Sequence, residues 1–164
     1  TTKFVDKEAL SFCKAWLCRF HHASLDVVVV KRGKPGFGVY GWCDYVEASS
    51  RPYRICLHVP GPFPFSVTTK EASVRLKLYG LKELIPEGQR VASSNICSTT
   101  ETVKVKLETK TSLNTPGEGL VFLFGHELHH YLSAENQLGS EDNEYNADQY
   151  GLLLLDRFRK VCKK

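Results

Sequence analysis

The chain has 164 residues, 42% of them apolar and 24% charged, with 12 Gly and 7 Pro; these proportions describe a domain able to bury roughly two-thirds of its unfolded surface and exclude disorder, collagen and coiled coil. The longest apolar runs, Val27–Val30, Leu120–Phe124 and Leu152–Leu155, fall far short of the roughly 20 residues of a membrane span, so no membrane partner is expected. The net charge of +4 hides an asymmetry: no Lys or Arg lies between Lys110 and Arg157, where eight acidic residues give −8 against +12 for the rest, a stretch that suits a cation or a basic ligand.

The opening Thr1-Thr2-Lys3-Phe4 lacks the apolar core of a signal peptide, which points to a cytoplasmic home. No internal repeat or separating linker is visible, so residues 1–164 read as a single domain. Asp6 is placed to cap a first helix running to about His22, with Leu10, Cys13, Leu17 and Phe20 on one side. The period then changes. Leu25–Lys31, Val39–Ala48 and Tyr53–Val59 read as strands joined by turns, a small antiparallel meander. Pro60–Phe65 breaks it. Between Ser66 and Ser112 the alternation of Val103, Val105 and Leu107 predicts a strand, whereas residues 70–84 fit a strand or a helix equally.

Thr115-Pro116-Gly117-Glu118 is a capping-box pattern with Pro at the first helical position. It predicts a helix to about Gln137, stopped by Gly139, and a last helix from about Glu141 to Lys160 that turns Tyr145, Leu152, Leu155 and Phe158 to a core. The five basic residues from Arg157 to Lys164 complement that helix's dipole, so nucleic-acid contact is not expected. The six cysteines, Cys13, Cys18, Cys43, Cys56, Cys97 and Cys162, show no Cys-x-x-Cys pair and read as free thiols or small core residues.

Chemistry concentrates in His126-Glu127-Leu128-His129-His130. Positions i and i+4 lie one above the other on a helix, so the imidazoles of His126 and His130 can converge on one Zn2+ ion. Glu127 falls beside that stripe, where its carboxylate can act as general base on a water. His129 points about 100° away around the helix and is not a ligand; its ring is expected in solvent or behind the ligands.

A third ligand is needed. No histidine follows His130, Ser133 and Asn136 occupy the Gly and His positions of a metzincin extension, and a chain with no Met has no Met-turn. A carboxylate remains, from Glu135, Glu141, Asp142, Glu144 or Asp148. Glu144 is favoured, because a helix returning antiparallel after Gly139 brings its first turn beside the histidines. Asp148, one turn further on the same face, can accept from a ligand imidazole and fix its tautomer.

Asn143-Glu144-Tyr145-Asn146-Ala147-Asp148 following His126-Glu127-Leu128-His129-His130 resembles the gluzincin metallopeptidases, His-Glu-x-x-His followed by Glu-x-x-Ala/Ser-Asp on the next helix. Phe122–Gly125 before the motif and Gln149–Leu153 after it are more similar still to compact ImmA/IrrE-type peptidases. The likeness covers Gly119 to Leu155, under a quarter of the chain. It implies an α+β, zincin-like fold with a small twisted sheet packed on an active-site helix and an antiparallel C-terminal helix. It further implies one zinc ion on His126, His130 and Glu144, Glu127 as catalytic base, Asp148 behind the ligands, and a polypeptide substrate. The residues from Phe65 to Pro116 have no counterpart in it.

For substrate, Tyr53–Val59 is the candidate edge strand; Tyr131, Tyr150 and His58 are candidate oxyanion donors, each also readable as a packing residue. The rival function is a catalytically silent zincin-like binding module in which zinc merely ties two helices together.

Overall fold

Asp6 caps the first helix: its Oδ1 accepts from the backbone N–H groups of Glu8 at 2.9 Å and Ala9 at 3.2 Å, filling donors that a helix start leaves empty. The computed structural model describes residues 6–30, 40–47, 49–59, 62–77, 89–96 and 102–162. The elements are α1 (Lys7–Leu17), β1 (Leu25–Val30), β2 (Tyr40–Tyr45), β3 (Tyr53–His58), β4 (Phe65–Lys77), β5 (Gln89–Ile96), β6 (Thr102–Leu113), α2 (Pro116–Ala134) and α3 (Glu144–Cys162). The architecture is α+β, and no described helix is long and apolar enough to cross a membrane.

The chain groups into two compact units, one joining Thr1–Phe65 to Leu113–Lys164 and the other formed by Ser66–Ser112. The second unit carries a three-stranded sheet in the order β4-β6-β5. β5 and β6 run antiparallel from Gln89 opposite Thr109 to Ile96 opposite Val103. Val103, Val105 and Leu107 fall in a strand as expected, and the ambiguous segment is strand as far as Lys77.

In the first unit the sheet order is β1-β3-β2, with β1 parallel and β2 antiparallel to β3. The expected antiparallel meander is therefore wrong. The signal lay in Ile55-Cys56-Leu57-His58, four consecutive buried residues: a strand covered on both faces belongs in the middle of a sheet, and β3 takes the place between β1 and β2. Val27 and Val29, Leu57, Leu120 and Phe124, and Leu10 and Cys13 line one small apolar cavity between sheet and helices.

α2 is the centre of this unit. Leu120, Val121, Phe124, Leu128, Tyr131 and Leu132 are all at most 2% exposed, as in a helix apolar nearly all round. Burial of each large side chain contributes about 1.5–3 kcal/mol. Thr115 Oγ1 accepts from the Glu118 N–H at 3.1 Å, and Glu118 reaches back to the N–H of Asn114 at 2.7 Å, one residue before the expected reciprocal contact. The helix ends earlier than expected. Asn136, not Gly139, takes the left-handed conformation at φ 53, and the N–H groups of Asn136 and Gln137 bond back to the carbonyls of Ser133 and Leu132, a Schellman end.

α3 starts at Glu144 with Asn143 Oδ1 accepting from the Asn146 N–H at 2.8 Å. It buries Ala147, Gly151, Leu154, Leu155 and Phe158: Leu155 and Phe158 face the core as expected, whereas Tyr145 is 38% exposed and Leu154 joins the core. The phase is set by the crossing with α2. A Cβ on Gly125 would lie 2.9 Å from Gly151 Cα, and one on Gly151 would lie 2.8 Å from the Phe122 carbonyl oxygen. Two glycines thus let the backbones meet directly, next to His126.

Candidate metal centre

His126 and His130 sit one turn apart on α2, and α3 returns so that its first residue faces them. His126 Nε2 lies 3.3 Å from His130 Nε2, Glu144 Oε2 lies 3.3 Å from His126 Nε2, and Glu144 Oε1 lies 3.6 Å from His130 Nε2. Two donors each about 2.0–2.1 Å from a tetrahedral ion stand about 3.3–3.4 Å apart. These three side chains therefore have the mutual separations that one small divalent ion demands.

The far nitrogens fix the tautomers. His126 Nδ1 donates to Asp148 Oδ1 at 2.9 Å, and His130 Nδ1 donates to Asp142 Oδ1 at 2.7 Å, since a carboxylate can only accept. With both Nδ1 protonated, both Nε2 present bare lone pairs to the same point as the Glu144 carboxylate. Three electron-rich groups facing one another repel unless a cation joins them, which is the chemistry of a metal site. Without metal the point draws a proton: burial, the largest influence on His126, lowers its pKa, but the Asp148 bond and the charges of Glu127, Asp148 and Glu144 outweigh it and raise it overall.

Glu127 is 5% exposed and borders the same cleft, of about 450 Å3, as His126, His130, Asp142 and Glu144. Burial pushes its carboxyl pKa above the usual carboxylate range, against the pull of both histidines. A base held somewhat above its ordinary pKa is better matched to moving a proton near neutrality. The opposite wall is β2, from Gly41 to Tyr45, with Tyr53 beside it. The Cys43 thiol there is pushed up to about 12, by burial first and then by Glu127, Asp44 and Asp142; it stays protonated and offers no nucleophile. Glu144 is 82% exposed at its side chain, so the cleft opens to solvent on the α3 side.

Of the carboxylates weighed as third ligand, Glu144 alone completes a group with both His126 and His130 among the described residues. Glu135 meets the Ser24 hydroxyl at 3.4 Å, and Glu141 accepts from Asn143 through its carboxylate and from Asn146 through its carbonyl. Asp148 is where the sequence expects it. Asp142 has a different part: it buttresses His130 from the loop between the helices. Nothing in the spacing reveals this, because a loop residue's reach depends on the turn before it.

His129 is not in solvent. It is 1% exposed, its Nε2 meets Ser140 Oγ at 3.0 Å, and burial first, then His130, lowers its pKa. A neutral His129 thereby ties the Asp142 loop to α2. His129, His130 and Asp142 form a second possible metal group, but His130 Nδ1 and Asp142 are already bonded to each other and Ser140 engages His129 Nε2.

The suggested oxyanion donors pack elsewhere. Tyr131 is fully buried, meets Ser24 Oγ at 2.9 Å and donates to the His21 carbonyl at 3.0 Å; Tyr150 accepts from Trp16 at 3.1 Å; His58 is 1% exposed. None borders the cleft. The expected edge strand is also displaced: Tyr53–His58 is central, and β2 is the sheet's border strand beside the histidines. A larger groove of about 680 Å3, between Phe12 and Trp16 of α1 and Phe158 and Val161 of α3, brings together no comparable donor set.

The described cysteines, Cys13, Cys18, Cys43, Cys56 and Cys162, are free. In the basic C-terminal segment Arg159 is held by Glu118 and Lys160 by Asp156, so two of its charges are engaged within the chain. No known protein family, curated protein or solved structure matches the sequence or the fold.

Proposed function

We propose that this chain is a zinc-dependent metallopeptidase of gluzincin type, with a zincin-like first unit. The observation that carries this reading is the donor set: two Nε2 lone pairs and one carboxylate at 3.3–3.6 Å from one another, with Glu127 on the same cleft wall. His126, His130 and Glu144 would hold the ion, and two imidazoles with one carboxylate favour zinc over harder cations. Zinc bound there would lower the pKa of a water to around 7 and polarise a carbonyl.

The chain's own groups do the rest. Glu127 accepts a proton from the attacking water at a carboxylate oxygen and delivers it to the leaving amide nitrogen, contributing about 10²–10⁴-fold. Asp148 and Asp142 hold the two rings in the Nδ1-protonated form. β2 pairs with β3 along one edge, and its other edge offers main-chain donors and acceptors to an extended polypeptide beside Glu127. The free thiols fit a reducing, cytoplasmic setting.

Glu127→Gln is the test. It should keep zinc and melting temperature while losing hydrolysis of a dye-quenched casein by at least 100-fold. A wild type that binds zinc and cleaves no peptide would instead favour a binding module tied together by structural zinc.

A further inference from the structure

We propose that Gly41 is a positioning residue for Glu127: its missing side chain lets the backbone of β2 close directly on that carboxylate and fix where it points. A Cβ built on Gly41 falls 2.8 Å from Glu127 Oε1, 2.9 Å from Glu127 Cγ and 3.2 Å from the Cys56 carbonyl oxygen. Separations under about 3 Å are well inside carbon–oxygen and carbon–carbon contact. The two nearest atoms both belong to Glu127, so the side chain that must yield to any other residue at 41 is the base itself.

The geometry leaves little choice. Gly41 is held in register opposite Leu57, which is 1% exposed, so β2 cannot back away without breaking its ladder with the core strand. Glu127 sits on α2, whose neighbours Leu128, Tyr131 and Leu132 are fully buried, so the helix cannot back away either. Two rigid elements face each other with a carboxylate between them, and only a residue without Cβ allows that spacing. The strand backbone closes one side of Glu127, and the cleft with His126, His130 and Glu144 is the direction left open.

The catalytic consequence rests on the peptidase reading; the contact itself does not. The test compares zinc-loaded wild type, Gly41→Ala, Glu127→Ala and the double variant. Gly41→Ala should lower the melting temperature by about 3–8 °C, and by less than a third of that when residue 127 is already Ala. Zinc affinity, read by competition with a chromophoric chelator, should change less than threefold. Turnover of dye-quenched casein should fall about 100-fold, mostly in kcat, as expected for a displaced base.

An equal melting loss in both backgrounds overturns the proposal, because the added methyl would then strain the sheet and not Glu127. If Gly41→Ala does not fold, recovery of folding in the double variant counts for the contact, and failure of both counts against it. A wild type that leaves casein intact sinks the hydrolase reading, while the stability comparison still decides whether Gly41 positions Glu127.

Discussion

Asp142 accepts a hydrogen bond from Nδ1 of His130 at 2.7 Å, from the loop between α2 and α3. Asp148 does the same for His126 at 2.9 Å from α3. Each bond makes the opposite nitrogen a better donor and fixes the plane of its ring. The two differ in exposure: the Asp142 side chain is 52% exposed and the Asp148 side chain 21%. Solvent screens the first more, so Asp142→Asn should weaken zinc binding about 10-fold and Asp148→Asn toward 100-fold. Chelator competition on the folded variants measures both, and equal or inverted losses would refute the ordering.

The Gly125–Gly151 crossing makes a second prediction. Glu144 lies seven residues before Gly151 on α3, so the helix spacing at the glycines sets how near Glu144 comes to the histidines. Gly151→Ala must move Phe122 or separate the helices, a cost of about 1–3 kcal/mol. Zinc affinity should fall with it, although residue 151 touches no ligand. A variant with lowered melting temperature and wild-type zinc affinity would show that the crossing supports the fold alone.

How far the chain could be read from its sequence follows from the reach of each interaction. That His126, His130, Glu144 and Asp148 come together was legible because helical spacing is a local rule and one short turn joins the two helices. The caps at Asp6 and Thr115 were legible for the same reason. The order of β1, β2 and β3 was not, since pairing joins residues distant in sequence; only the unbroken run Ile55–His58 hinted that β3 is central. The part Asp142 plays behind His130, and the contact of Ser140 with His129, escaped notice because a loop's path is set by Asn136, whose left-handed turn closes α2 at Ala134, three residues before the expected Gln137. Gly41 looked like any strand glycine, and only the approach of Glu127 gives it meaning.

A third prediction concerns acid stability, through Glu118 and Arg159. Glu118 takes two bonds from Arg159, at 2.9 Å from Nε and 2.7 Å from Nη2, and a third from the Asn114 N–H. Burial alone would raise the Glu118 pKa, but these bonds more than offset it and hold the carboxyl below its ordinary value. A depressed folded-state pKa means that the unfolded chain takes up the proton first. The stabilisation is therefore complete above the unfolded carboxylate pKa of about 4.3 and is lost as pH falls through the lower folded value. The pair joins the start of α2 to the last turns of α3, and with side chains 13% and 31% exposed it is screened only in part. Glu118→Gln should cost about 1–2 kcal/mol at neutral pH. Its melting temperature should also decline less steeply than that of the wild type between pH 5 and about pH 3; parallel declines would show that this pair does not govern acid unfolding.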